Sequence, residues 1–365
     1  MKSDTAKARN GHILAVDSLC KYFPISRGVV GTLLRQPQRY VHAVDGVSFR
    51  LKKGEILALV GESGSGKTTT GLCCIGLIPA SDGTVLLDGK DVHKLASDRV
   101  QALELRRNAQ MIFQDPYESL NPRQTVFDTV VEPLEVHHLV SGKAEKVERV
   151  TAALDDAGLK PPSDFFDRYP QELSGGQRQR VVIASGLALN PKFLVADEPV
   201  SMLDVSIRAE ILNLLLRLRD EHEITILYIT HDLATAAYLA DRVAVMYLGV
   251  IVEIGPAKKV LSNPFHSYTK ALMSVIPVPN PRRRKERMVL KGETPNPIQL
   301  PPGCRFHPRC PNAIEECYKL EPVLEETEPD HFVACGMMRR ELDAIDRQQA
   351  DDHEPEPPLV LGRRD

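Results

Sequence analysis

An α/β fold with a small helical subdomain is what this 365-residue sequence predicts, on three observations. From about residue 11 to 275, short apolar runs alternate with helix-patterned stretches, as α/β folds require. The runs "KFLVADEP" and "ITILYITHD" are apolar on both faces, the pattern of strands buried inside a sheet. Residues 125 to 158 instead follow a helical period, clearest in "AEKVERVTAALDDAGL".

In chain order, "AVDGVSF" and "EILALVG" read as strands on either side of the turn "LKKG". "GESGSGKT" (61–68) follows the second strand and precedes a helical run. "TVLLDGKDV" places Asp-Gly after an apolar run, a hairpin signal. "MIFQDP" is an apolar strand that stops at a proline-marked bend. In "LSGGQRQR" (173–180), Ser174 and Gln177 have the spacing of a capping box, so a helix starts there. Gly175 and Gly176 fill its first turn, where each costs about 1 kcal/mol relative to Ala, and capping alone does not need them. "RVAVMYLGVIVEIG" breaks at Gly249 into two short strands, and no run approaches the roughly 18 apolar residues of a membrane span. Beyond residue 276, "IPVPNPRRRKERMVLKGETPNPIQLPPG" reads as a linker or loose module, and the polar, acidic stretch 341–365 as a disordered tail. The N-terminus has no apolar signal-peptide core, which predicts an intracellular protein with reduced thiols. A formal net charge of −3 shows no electrostatic footprint for nucleic acid.

The chemistry-bearing residues cluster in these same segments. The strand–loop–helix context of "GESGSGKT" is that of a phosphate-binding loop. Gly61, Gly64 and Gly66 let backbone N–H groups wrap the β- and γ-phosphates of a nucleotide, and Glu62, Ser63, Ser65 and Thr69 complete the candidate loop. Lys67 is placed to bridge those phosphates, and Thr68 to offer its hydroxyl to Mg²⁺. In "FLVADEP", Asp197 ends a buried strand where it can hold Mg²⁺, and Glu198 follows it as the candidate to polarise an attacking water. Gln114 stands where a neutral amide can touch Mg²⁺ or that water. His231, ending "ITILYITHD", is placed to donate to the γ-phosphate. Gln114 or His231 alone would be unremarkable, but each closes a strand in the same series.

These motifs in this order (phosphate loop, Gln114, "LSGGQ", "DEP", "SMLD", His231) resemble the nucleotide-binding subunits of ABC transporters over about residues 11–275. The resemblance implies a RecA-like ATPase core in that range, with an antiparallel β subdomain and a helical subdomain at about 115–185. It also implies that ATP and Mg²⁺ are used, with Glu198, His231 and Gln114 catalytic. In that family two subunits face head to tail, and Ser174, Gly175, Gly176 and Gln177 of one cap the ATP of the other, which gives the two glycines a purpose. Asp204, retained in "SMLD", would lie at that interface, with Met202 in place of the family's small residue. An aromatic near "LCKYFP" stacks on adenine, Phe23 by spacing with Tyr22 adjacent. A single cassette without long coiled coils or a fused membrane domain is unlike the translation-factor, chromosome-organising and exporter branches.

"NPRQTVFDTVVEPL", "NPFHSYTKALMSVIPVPNP" and "PPGCRFHPRCPNAIEEC" are similar to the ATPases of dipeptide and oligopeptide importers, over about residues 11–337. Implied partners are a second, non-identical ATPase subunit, two transmembrane permeases and an extracytoplasmic substrate-binding protein. The subunit would then sit peripherally on the cytoplasmic face of the membrane. Nickel or sugar importers of the same group are the alternative cargo class, and a soluble non-transport ABC ATPase the alternative role. "DPYESLNPRQTV" is the candidate contact for the membrane subunits.

Cys304, Cys310, Cys317 and Cys335 crowd one C-terminal segment, which makes a cysteine-rich module over 276–340. Their x5, x6, x17 spacing lacks the C-x₂-C arms of zinc ribbons and does not match ferredoxin runs. From the residues alone Zn²⁺ and an iron–sulfur centre stand level, with free thiols third. The resemblance to peptide-importer ATPases implies a [4Fe–4S] cluster, one that would help to fold a module poor in apolar residues.

Overall fold

The computed structural model describes residues 11–27, 37–275 and 288–338. Strands β1 (His12–Pro24) and β2 (Tyr40–Lys52) pair antiparallel. The chain then runs through β3 (Ile56–Val60), buried at all five residues, into helix α1 (Lys67–Cys74). It returns as β4 (Asp82–Leu87) and β5 (Lys90–Asp91), joined at Asp88 and Gly89 with φ of 50° and 73°, the turn that Asp-Gly predicts. These strands form a sheet in the order β2-β1-β4-β5. Helices α2 (Val92–Ser97) and α3 (Arg99–Asn108) lead to β6 (Ala109–Ile112). Next come α4 (Pro116–Ser119), α5 (Val126–Val136), α6 (Lys143–Asp156) and α7 (Gly175–Leu187), the helical subdomain. The alternation resumes with β7 (Phe193–Asp197), α8 (Val205–His222), β8 (Thr225–Thr230) and α9 (Leu233–Leu239). It continues through β9 (Arg242–Tyr247), β10 (Val250–Pro256), α10 (Ala257–Ser262) and α11 (Ser267–Ser274). Beyond these lie β11 (Glu325–Glu328) and β12 (His331–Val333).

The main sheet runs β11-β12-β10-β9-β3-β8-β7-β6. From β6 to β9 every pairing is parallel, and beyond β9 every pairing is antiparallel. Period-two alternation explains why β3 is wholly apolar. Ile56, Ala58 and Val60 face the core shared with the helical subdomain, while Leu57 and Leu59 face the core shared with β1 and β2. Among the described residues no helix is long and apolar enough to cross a membrane.

The C-terminal segment corrects the sequence reading. It is not set apart as a cysteine-rich module but is built onto the ATPase core. β12 pairs with β10, and Phe306 is 1% exposed among the rings of Tyr247, Tyr268 and His266, at centroid distances of 5.2, 5.4 and 5.5 Å. Cys304, Phe306 and Cys317 belong to the same apolar core as the central strands. The segment looks poor in apolar residues because it borrows a core instead of making one. The expected boundary at 276 and the tail 341–365 lie outside the described residues.

Candidate nucleotide site

The loop between β3 and α1 is held open by close backbone approach. Gly66 has φ 104°, and a Cβ there would lie 2.1 Å from the Ala43 carbonyl oxygen, so only glycine fits. Lys67, 5% exposed, sits inside the loop. Its Nζ donates to the carbonyls of Gly61 (2.9 Å) and Glu62 (2.8 Å) and to Ser65 Oγ (3.4 Å). Burial pushes this ammonium down from its ordinary value, opposed by the carboxylates of Glu198, Asp197 and Glu62. Asp197 is pushed the other way. Burial raises its carboxyl, the Thr68 hydrogen bond lowers it, and the neighbouring Glu198 charge adds to the rise. Two adjacent carboxylates beside a threonine hydroxyl are the hard oxygen donors that Mg²⁺ prefers, so the residues present fit that ion.

Gln114, Glu198 and His231 come from the ends of three neighbouring parallel strands, β6, β7 and β8, and meet. Gln114 Nε2 donates to Glu198 Oε2 at 3.1 Å, and His231 Nδ1 lies 3.0 Å from Glu198 Oε1. Glu198 occupies the left-handed region, φ 45°, which non-glycine residues avoid. Its N–H donates to the Ile229 carbonyl at 2.9 Å, which fixes that backbone against β8. Strained backbone of this kind is a recurrent feature of functional sites. All these groups lie at the carboxyl edge of the parallel strands, where open α/β sheets bind their ligands.

Of the two candidate aromatics, Phe23 is 40% exposed with Lys21 Nζ 5.0 Å from its ring centre. The Tyr22 hydroxyl donates to Asp45 Oδ1 at 2.5 Å and its ring packs on His42, so this side chain is engaged within the chain. Phe23 is the more exposed of the two rings.

The predicted helix start is present: Ser174 N–H donates to Gln177 Oε1 (3.0 Å) and Gln177 N–H to Ser174 Oγ (3.3 Å). The two glycines, expected to serve one purpose, separate. A Cβ at Gly175 would meet only Leu203 Cδ2, at an ordinary 3.6 Å. One at Gly176 would lie 2.5 Å from Ile207 Cγ2, on α8 of the same chain. Packing of α7 on α8 is sufficient reason for Gly176, whereas among the described residues nothing demands Gly175. Ser174 and Asp204 are exposed, as is Met202.

The C-terminal cysteines approach one another without forming a metal cage. Among the described residues no group of three or more His, Cys, Asp or Glu is arranged to hold a metal ion, so the geometry does not support the [4Fe–4S] cluster expected on Cys304, Cys310, Cys317 and Cys335. Burial pushes the Cys304 thiol up to about 11 and raises Cys335, and the mutual influence of Cys304, Cys310, Cys317 and Cys335 adds to both. Backbone N–H groups of Phe306, and of Met337 and Met338, point at the sulfurs of Cys304 and Cys335.

Arg305 and Arg309, each beside a cysteine, are functional candidates that sequence reasoning missed. Arg309 pairs with Glu62 of the phosphate loop (2.9 Å) and Arg305 with Asp45 (2.5 Å). Their partners lie so far away along the chain that no local signal marks them.

The ABC transporter family profile matches residues 44–201, and the profile described as the oligopeptide/dipeptide transporter C-terminal region matches residues 252–317. The latter begins inside β10, in keeping with a C-terminal segment continuous with the core. The oligopeptide transport ATP-binding protein AppF of Bacillus subtilis is 46% identical over 327 residues, spanning 89% of this chain and 97% of that one. The oligopeptide transport ATP-binding protein OppF of Salmonella typhimurium is 46% identical over 325 residues, 88% and 95% of the two chains. Among solved structures, the ATP-binding cassette MJ0796, a dimer in a post-hydrolysis state bound to ADP and Pi, superposes with a TM-score of 0.58. It is 28% identical, covering 67% of this chain and 98% of its own. The cbiO1 component of a Clostridium perfringens ABC transporter gives a TM-score of 0.57 at 30% identity, with 70% and 92% covered.

Proposed function

The chain belongs to the ATP-binding proteins of ABC transporters, in the oligopeptide-transport group, and from that premise we propose that it binds and hydrolyses ATP to drive peptide import. The observation that carries the reading is the meeting of Gln114, Glu198 and His231 beside Lys67, Thr68 and Asp197 at one sheet edge. The phosphate-loop N–H groups and Lys67 receive the β- and γ-phosphates, and Phe23 supports the base. Thr68 and Asp197 hold Mg²⁺, with Gln114 able to join them. The bound ion neutralises charge on the phosphates. Glu198 orients water and takes its proton, positioned by Gln114 and His231, and His231 can turn its exposed imidazole toward the γ-phosphate.

The names of AppF and OppF support oligopeptides as cargo and the C-terminal profile adds dipeptides, handled by membrane permeases and not by this chain. A peripheral position on the cytoplasmic face of the membrane follows from that role. The dimeric MJ0796 cassette supports a pairing in which exposed Ser174 and Asp204 and half-buried Gly175 face a second, unlike ATPase subunit. An extracytoplasmic binding protein would deliver peptides to the assembly. Cys304, Cys310, Cys317 and Cys335 are proposed to hold a [4Fe–4S] cluster, for which all-thiol donors and N–H groups aimed at two sulfurs are suitable.

Glu198→Gln tests the site. It should retain MgATP binding and slow turnover by about tenfold or more, because a neutral amide cannot take the proton. The assay uses the assembled transporter with the sister site silenced. Near-normal turnover there would remove Glu198 from the mechanism.

A further inference from the structure

Two arginines of the C-terminal segment contact residues in and around the phosphate loop. The Arg309 side chain, 10% exposed, grips Glu62 with both prongs, Nη1 to Oε2 at 2.9 Å and Nη2 to Oε1 at 3.3 Å. Thr294 closes the arrangement, its Oγ1 donating to Glu62 Oε2 (2.8 Å) and accepting from Arg309 Nη1 (3.2 Å). From behind, Glu62 N–H donates to the Tyr268 hydroxyl at 2.9 Å. Arg305, its side chain 6% exposed, binds Asp45 Oδ2 at 2.5 Å and the Leu248 carbonyl at 2.8 Å. Asp45 in turn accepts the Tyr22 hydroxyl next to Phe23, and Gly249, after Leu248, donates its N–H to the Ser65 carbonyl at 3.0 Å.

We propose that the C-terminal segment positions the nucleotide site, Arg309 by clamping the phosphate loop through Glu62 and Arg305 by holding the strand that carries Phe23. The inference rests on reading this loop as the ATP site and adds the residues that shape it. Glu62 lies inside the loop, so an unrestrained carboxylate there would face the anionic phosphates. The two-pronged guanidinium neutralises it and turns it aside, a geometry that lysine cannot reproduce. Arg309 touches none of Gln114, Glu198 or His231, so its effect falls on nucleotide affinity and not on the chemical step.

The experiment measures KM for ATP and kcat in the assembled transporter, alongside MgATP binding to the purified chain. Arg309→Met should raise KM about tenfold while kcat stays within about twofold, the pattern of lost binding uniform to ground and transition states. Arg309→Lys should fall between. Adding Glu62→Gln to Arg309→Met should restore most of the affinity, because the carboxylate to be neutralised is gone. A general folding defect would not show that rescue. Should the Met variant fail to accumulate, the Lys variant is judged on the same readout. An unchanged KM, a fall in kcat alone, or no rescue by Glu62→Gln overturns the proposal. Failure of the wild-type chain to bind MgATP, or binding that survives Lys67→Ala, would instead overturn the reading of the loop.

Discussion

Gly175 and Gly176 sit side by side at the start of α7 and have different neighbours. At Gly176 an added Cβ falls 2.5 Å from Ile207 Cγ2, so Gly176→Ala must shift α7 against α8, a kind of overpacking that typically costs about 1–3 kcal/mol. Its urea midpoint should fall accordingly. Gly175→Ala meets nothing closer than 3.6 Å, so it should leave the midpoint unchanged or raised. If bare backbone at 175 serves nucleotide held by the sister subunit, the same change should slow hydrolysis at the sister's site. Stable protein with full turnover at that site would leave Gly175 without a role across the interface. At this scale the sequence was legible wherever a motif carried order. Gln114, Glu198 and His231 are ordinary residues singly, but each closes a strand in the same series, and the structure brings the three side chains together. Arg305 and Arg309 were illegible because their partners Asp45 and Glu62 are remote in sequence and neighbours only in the fold.

Elements with their own signal were read well, and elements that exist only by pairing were not. The Asp-Gly hairpin of β4 and β5 and the break between β9 and β10 each carry turn chemistry. β12 is three residues, "HFV", and becomes a strand because β10 offers it an edge. That junction buries charge. Glu253, fully buried, accepts from Phe265 N–H (2.8 Å) and His266 N–H (3.0 Å), and lies 2.8 Å from His331 Nε2. His266 caps α11, its Nδ1 accepting from Tyr268 N–H at 3.1 Å. Burial drives its imidazole down to about 4, against the upward pull of Glu253, with Lys270 adding to the fall. The unfolded chain takes up that proton near the ordinary value of about 6.5, whereas the native chain resists until about 4. Across that window the unfolded state binds more protons, so stability falls as pH drops. Between pH 6.5 and 5 the loss from this group should be about 2 kcal/mol. His266→Asn keeps a capping acceptor without titrating, so its stability should depend less steeply on pH in urea titrations of the purified chain. Equal slopes for the two proteins would remove His266 as the source.

For the whole molecule, the question is what the C-terminal cysteines do beyond packing, since Cys304 and Cys317 already lie in the shared core. The sequence made a metal look necessary because residues 288–338 hold few apolar side chains. The structure supplies other supports: Phe306 in the shared core, β12 on β10, and the Arg305 and Arg309 contacts. Zinc fingers, by contrast, unfold outright without their ion. Chelation, or Cys317→Ser, should therefore leave the ATPase core folded, with its main thermal transition retained. Local loosening should appear as faster hydrogen exchange near residues 304–317. Loss of the whole transition would mean that the metal is a folding requirement after all. The identity of the metal is a separate measurement. Anaerobic purification should yield coloured protein with about four irons per chain if the thiols hold a [4Fe–4S] cluster. Colourless protein with about one zinc per chain would reject the cluster and keep the four-thiolate site, whereas protein with neither metal and four alkylatable thiols would reject both. Because Arg305 follows Cys304 and Arg309 precedes Cys310, any movement that ligation imposes on these cysteines reaches Asp45 and Glu62 through one residue. KM for ATP should then differ between metal-loaded and metal-free protein, and an identical KM would confine the cysteines to a local role.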